Sequence, residues 1–137
     1  MKIVYPANIV KGADGIYAVT FPDFPDAMTD GATLEEALHN ASEALTLTLE
    51  GRMAEGIAVP RPKTKGKYLV TPAARVQAAA LLRMARGKRT IAEIARALGT
   101  SWPAAQKLED PRHSPSLRQL EKAAAAMGKK LLIEIEG

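Results

Sequence analysis

The chain has no cysteine, only two histidines and few aromatic residues, 4% of the total. Without cysteine there is no disulfide and no thiolate metal site, and nothing points to an oxidising compartment. With so few aromatics, a core must be built from Ala, Leu, Ile and Val, and the 47% hydrophobic content supplies them. No apolar stretch approaches the roughly 20 residues of a membrane span. Met1-Lys2-Ile3-Val4-Tyr5-Pro6 also lacks the apolar run of a secretion signal. The expectation is a cytoplasmic protein with no membrane partner, its 137 residues forming one ordinary domain or two small ones.

Charge is unevenly spread. Residues 1–66 carry six Lys/Arg and nine Asp/Glu, a net of −3, whereas residues 67–137 carry thirteen and six, a net of +7; together they give the chain's +4. An acidic stretch followed by a basic one implies two domains, 1–66 and 67–137, with different partners. The basic half is a candidate for nucleic acid and the acidic half for a basic protein. The competing reading is a chance fluctuation of charge along the chain.

In the first half, Ile3-Val4-Tyr5 and Ile9-Val10 suggest a strand edged at Pro6. The turn residues Lys11-Gly12-Ala13-Asp14-Gly15 separate it from an alternating stretch, Ile16 to Phe21, so an antiparallel hairpin is expected. Phe21-Pro22-Asp23-Phe24-Pro25-Asp26 predicts an extended turn, and Ala27-Met28-Thr29 a short third strand. Thr33 with Glu36 has capping-box spacing, and Leu34, Ala37, Leu38, Ala41, Leu45 and Leu49 recur on one helical face. Ile57-Ala58-Val59 is a candidate strand, the proline- and lysine-rich residues 60–67 a linker, and Tyr68-Leu69-Val70 a last strand. The aspartates Asp14, Asp23, Asp26 and Asp30 are the one set that a Mg²⁺ site could draw on. Each adjoins Gly or Pro, where Asp is a common turn former. The turn reading is preferred, so no catalytic residue, metal or cofactor is expected.

The string from Gly15 to Pro25, GIYAVTFPDFP, resembles the hairpin of HicB antitoxins, which runs approximately G-Y-x-V-x-F-P-D-x-P. Thr29 to Leu38, TDGATLEEAL, followed by Asn40-Ala41 and Glu43-Ala44-Leu45, resembles the helix entry of the same family. The likeness runs over residues 3–60; Asp26-Ala27 departs from the Gly-Cys of many relatives. The resemblance implies a partial ribonuclease-H-like β-β-β-α-β domain without nuclease activity. It also implies that this domain binds a HicA-type toxin, a small basic ribonuclease, with Asp23, Phe24 and Asp26 as the candidate contacts.

In the second half, a helix is expected from about Ala74 to Arg86, ended by Gly87. Thr90 with Glu93 opens the next, with Ile91, Ile94, Ala95 and Leu98 inward and Gly99 as its stop. Ser101 caps a third, with Pro103 in its first turn, and Ser116 a fourth, with Leu117, Leu120, Ala123, Ala124 and Met127 inward. Leu131 to Glu136 alternates like a terminal strand that could pair with its copy. The cluster Arg83, Arg86, Lys88 and Arg89 is either a helix end or a phosphate contact.

Two short helices joined by Leu98-Gly99-Thr100-Ser101 form a helix-turn-helix pattern. Residues 75–135 resemble the Cro-repressor type fused to HicB proteins, through Ala92-Glu93-Ile94-Ala95, Leu98-Gly99, Leu108-Glu109, Pro115-Ser116-Leu117, Leu120-Glu121-Lys122-Ala123 and Met127-Gly128. By that resemblance Ser101, Trp102, Ala104, Ala105, Gln106 and Lys107 face the major groove, and Arg112 and His113 contact phosphates. Trp102 has a second reading as a packing residue, Lys107 as a solvated charge. Many repressors have Gln where this chain has Ile91 and Trp102, and polar residues where it has Pro103, Ala104 and Ala105, so direct base readout is thin.

The fold class expected is therefore α+β, with an all-α helix-turn-helix domain following the sheet domain. The function expected is an antitoxin, not an enzyme. It neutralises its toxin sterically and represses its own operon as a homodimer or higher even-numbered oligomer on double-stranded operator DNA. The alternative is a stand-alone transcriptional regulator whose N-terminal domain binds a small ligand or oligomerises. A metal-dependent nuclease built on the aspartates comes third.

Overall fold

Alternation in the first 31 residues becomes three antiparallel strands: β1 (Tyr5–Lys11), β2 (Tyr17–Phe21) and β3 (Phe24–Gly31). The computed structural model describes residues 1–137, in two units, Met1–Gln77 and Ala78–Gly137. The first adds α1 (Leu34–Ala54) and β4 (Tyr68–Val70), and its sheet order is β3-β2-β1-β4, antiparallel throughout. The helix α2 (Ala74–Arg86) runs across the division. The expected boundary at 66/67 lies ahead of β4, whose pairing with β1 keeps it in the first unit.

Strand alternation gives the sheet two unlike faces. Tyr5, Ala7, Val19, Phe21, Phe24, Ala27 and Val70 are buried on one, together with α1 residues Ala37, Ala41, Leu45, Leu49 and Met53. Phe24 is at the centre, edge-to-face with Tyr5 at 4.9 Å and with Phe21 at 6.4 Å between centroids. On the other face Val10, Met28 and Leu69 stay exposed. The β2–β3 turn is tighter than its two prolines predict. It consists of Pro22 and Asp23, and Phe21 pairs with Phe24. Pro25 lies inside β3, an edge strand, where a missing N–H need not break a ladder bond.

Helix α1 reaches the sheet through one glycine. A Cβ on Gly31 would stand 2.3 Å from the Ala37 nitrogen and 2.7 Å from its Cα, so the helix backbone lies where any side chain would be. Thr33 between them caps α1, its hydroxyl accepting from the Glu36 N–H at 3.1 Å.

The second unit is helical: the rest of α2, then α3 (Ile91–Leu98), α4 (Trp102–Leu108) and α5 (Leu117–Ala126). Its core is Leu82, Ile94, Ala123 and Met127, with Ala85, Leu98, Leu108 and Leu120 packed against it. Thr90, Ser101 and Ser116 cap the three short helices as expected, Ser116 in a full capping box with Gln119. Gly99 ends α3 at φ 67, a left-handed conformation that other residues adopt reluctantly.

Two expected strands do not form. Residues 57–59 belong to no strand, and neither do Leu131 to Glu136. The reason for the second is that a strand needs a neighbour, and the helical unit offers no sheet edge within one chain.

Replacing Gly31 by Ala should destabilise the sheet unit by about 3 kcal/mol, because rigid backbone, not a side chain, fills the space the methyl needs. Urea denaturation followed by circular dichroism measures it; a loss below about 1 kcal/mol would mean that α1 can shift away from β3.

Candidate functional sites

In the first unit the β2–β3 turn and the segment after α1 meet over the aromatic core. Lys63 Nζ donates to Asp23 Oδ1 at 2.6 Å, and the Lys63 N–H donates to the Val4 carbonyl at 3.1 Å. The Tyr5 hydroxyl donates to the Pro60 carbonyl at 2.6 Å. The Pro/Lys stretch is thus tied down at residues 60 and 63. Burial, and then the negative charge of Asp23, push the Tyr5 hydroxyl from its ordinary 10.0 up to about 12.

These contacts sort the three expected toxin contacts. Phe24 is fully buried, so it belongs to the core and offers no surface; what read as a loop position is the first residue of β3. Asp23 has a side chain only 10% exposed and is held by Lys63. Asp26 alone is open, at 68%, with the Arg52 guanidinium 3.1 Å away. That hydrogen bond lowers the Asp26 pKa below its ordinary value. Arg52 also stacks over the Phe24 ring at 5.0 Å. The aspartates do not converge on a metal. Asp14 accepts from the Ile16 N–H in its turn, Asp23 and Asp26 take separate cations, and no group of three His, Asp or Glu side chains could hold an ion.

In the second unit a buried carboxylate organises the arginines. Glu109, at the end of α4, is 4% exposed and receives the Arg86 Nε at 2.8 Å on its Oε2. Arg83 donates to the Glu109 carbonyl at 3.3 Å. Burial is the main cause that lowers the Arg83 pKa from its ordinary value. Arg89 donates to the carbonyls of Ala85, Arg86 and Met127, closing the ends of α2 and α5 together. Of the two readings of this cluster, the helix-end reading holds for Arg83, Arg86 and Arg89. Nothing in the spacing announced Glu109; the signal available was an acidic residue at a helix end in an otherwise basic stretch.

Removing that cluster leaves α4 as the exposed polar element. Ser101, Trp102, Ala104, Gln106 and Lys107 are open to solvent, and Trp102 is 47% exposed rather than packed away. Ala105 is the exception among the residues expected on this face. It is 2% exposed and points into the unit, because α4 needs one small inward residue to lie close to α3 and α5. Arg112 is exposed in the following loop and His113 half-buried, with the Asp110 carboxylate accepting the Arg112 N–H at 2.9 Å.

A family model described as "HicB_like antitoxin of bacterial toxin-antitoxin system" matches residues 4–78, nearly the extent of the first unit. The chain is similar to Antitoxin HicB 2 of Photorhabdus laumondii, 36% identical over 93% of this chain and 92% of that one. It is also similar to Antitoxin HicB 1 of the same organism, 33% identical over 96% of this chain and 86% of the other. Antitoxin HicB of Escherichia coli K12 is 28% identical over 93% of this chain and 95% of its own length. These alignments necessarily extend into the second unit. A crystal structure of the N-terminal domain of Burkholderia pseudomallei antitoxin HicB superposes with a TM-score of 0.41 and 27% identity, covering 45% of this chain and 73% of that one. No helix is long and apolar enough to cross a membrane.

Two outcomes follow. Glu109→Ala should destabilise the helical unit by about 3 kcal/mol, since it strands a partly buried arginine. Thermal denaturation followed by Trp102 fluorescence measures it, and a loss under about 1 kcal/mol would contradict the clamp. The Tyr5 hydroxyl keeps its proton more tightly in the folded state than in the unfolded one. Its contribution is therefore complete below pH 10 and lost as pH rises toward about 12. Tyr5→Phe should flatten that part of the stability profile.

Proposed function

The chain belongs to the HicB-like antitoxin family, whose members are non-enzymatic regulators, and from that premise we propose that residues 1–77 neutralise a HicA-type ribonuclease toxin while residues 78–137 bind operator DNA and repress the chain's own operon. Membership, carried by the match over residues 4–78, is the observation that supports the first part. The first unit is the partial ribonuclease-H-like arrangement that the family resemblance implies. Neutralisation is steric: surface is covered, and no bond is made or broken.

The charge that supports this reading is local rather than global. Counted by structural unit, residues 1–77 carry eight Lys/Arg and nine Asp/Glu, a net of −1, because Lys67 and Arg75 fall in the first unit; residues 78–137 carry eleven and six, a net of +5. The acid of the first unit is concentrated on α1, where Glu35, Glu36 and Glu43 are exposed, and Asp26 is exposed on β3. A basic ribonuclease surface fits such a face.

For DNA, α3, the turn Gly99-Thr100-Ser101 and α4 serve as a helix-turn-helix, with α4 as the recognition helix. Gln106 and Lys107 are the side chains that can read base edges, Trp102 and Ala104 the apolar ones that can meet thymine methyls, and Ser101, Arg112 and His113 the phosphate contacts. Ala105 is left out because it is buried. Two such helices on half-sites about one helical turn apart require a homodimer or a higher even-numbered oligomer.

Co-expression of the full chain with the small protein encoded beside its gene should restore growth and give a complex that copurifies. Reversing Glu35, Glu36 and Glu43 to Lys together should abolish both. A harmless neighbour that does not bind would leave the stand-alone regulator reading in its place. In gel-shift titrations on the promoter, Gln106→Ala and Lys107→Ala should each weaken binding by about tenfold, and Arg112→Ala should reduce the salt dependence by roughly one unit of slope. Equal binding by all three variants would remove α4 and its following loop from the DNA interface.

A further inference from the structure

The last residues of the chain are apolar, exposed and in no strand of their own. Helix α5 ends at Gly128 with φ 70, and the Lys129 N–H returns to the Ala124 carbonyl at 2.8 Å, so the backbone leaves the helix sharply. Beyond it Leu132 is 81% exposed, Ile133 65% and Ile135 94%. Three large aliphatic side chains left in water at a chain end are costly. The sequence there, KKLLIEIEG, has the alternation of a strand rather than a helix.

It is also self-complementary in one direction. Positive charge lies at its start, Lys129 and Lys130, and negative charge at its end, Glu134 and Glu136. Two copies side by side in parallel would set like against like, whereas two antiparallel copies set lysines near glutamates. Directly opposite residues in an antiparallel pair share a face, so the registers can be enumerated. With Ile133 opposite Ile133, Leu131 faces Ile135 on one side, and Lys130 faces Glu136 on the other. A shift one way places Lys129 opposite Ile135, and a shift the other way places Glu134 opposite Glu134. Registers that pair odd with even positions put the apolar face of one copy against the charged face of its partner.

We infer that residues 129–136 form a two-stranded antiparallel ribbon with the same residues of a second copy of this chain, centred on Ile133. The occupant is a second copy because only the chain itself offers both the matching aliphatic row and the reversed charge order. The ribbon supplies the neighbour whose absence leaves this segment without strand structure in one chain. It deepens the dimer invoked above by naming the surface that makes it. Its tests need no DNA or toxin, so it can fail while operator binding and growth rescue stand.

The chain's lack of cysteine makes the register directly readable. In the full chain, Ile133→Cys places two thiols opposite each other and should crosslink nearly completely under mild oxidation. Ile135→Cys places them roughly 13 Å apart along the ribbon, beyond the reach of about 7 Å for a disulfide, and should stay mostly uncrosslinked. By sedimentation, the parent chain should run at twice 14.6 kDa, and Ile133→Glu, which opposes two carboxylates at an exposed position, at the single mass with an unchanged far-ultraviolet spectrum. A monomeric parent chain, a dimer untouched by Ile133→Glu, or Ile135→Cys crosslinking as readily as Ile133→Cys would overturn the ribbon.

Discussion

A carboxylate taken out of water must find a cation, and each unit of this protein obeys that constraint through α2. In the first, Glu50 on α1 is 7% exposed and paired with Arg75 in the first turn of α2. In the second, Glu109 is 4% exposed and paired with Arg86 in the last turn. A buried pair of this kind contributes little net stability over an apolar substitute, but losing one partner leaves the other charge stranded. The pairs therefore act by excluding alternatives. Helix α1 must lie where Glu50 meets Arg75, and the end of α4 where Glu109 meets Arg86. In the first unit the Ser42 hydroxyl, donating to the Thr71 carbonyl, and Thr46, accepting from the Ala73 N–H, fix the chain leading into α2 further.

Local chemistry was legible in the sequence, and long-range chemistry was not. All four hydroxyl caps, Thr33, Thr90, Ser101 and Ser116, stand where their spacing placed them, because a cap involves residues three apart. The hairpin and the amphipathic face of α1 follow from periods of two and 3.6 in the same way. Arg86 and Glu109 are far apart in the chain, so the arginine cluster kept two readings until the fold brought them together. Phe24 misled for a related reason: flanking prolines suggested a loop, but the aromatic ring needed the core more than Pro25 needed to leave the strand. Ala105 shows the limit of transferring a face by resemblance, since one position in a short helix must always point inward.

Membership in an antitoxin family changes what counts as a site. There is no reaction to catalyse, so the useful features are faces, and the two units differ in how they leave them open. The sheet unit covers one side with α1 and leaves the other bare; the helical unit spends its arginines on helix ends and leaves α4 with its polar residues outward. Neither arrangement shows a converging set of titratable groups, as expected of a molecule that works by occupying a partner's surface.

The sole tryptophan of the chain is on α4, half open to solvent, while both phenylalanines belong to the sheet unit. Nature has thereby labelled one half of the protein. Light absorbed by indole alone reports on the helical unit and is blind to the sheet, so a single cuvette can separate events in one half from events in the other without any dye or tag.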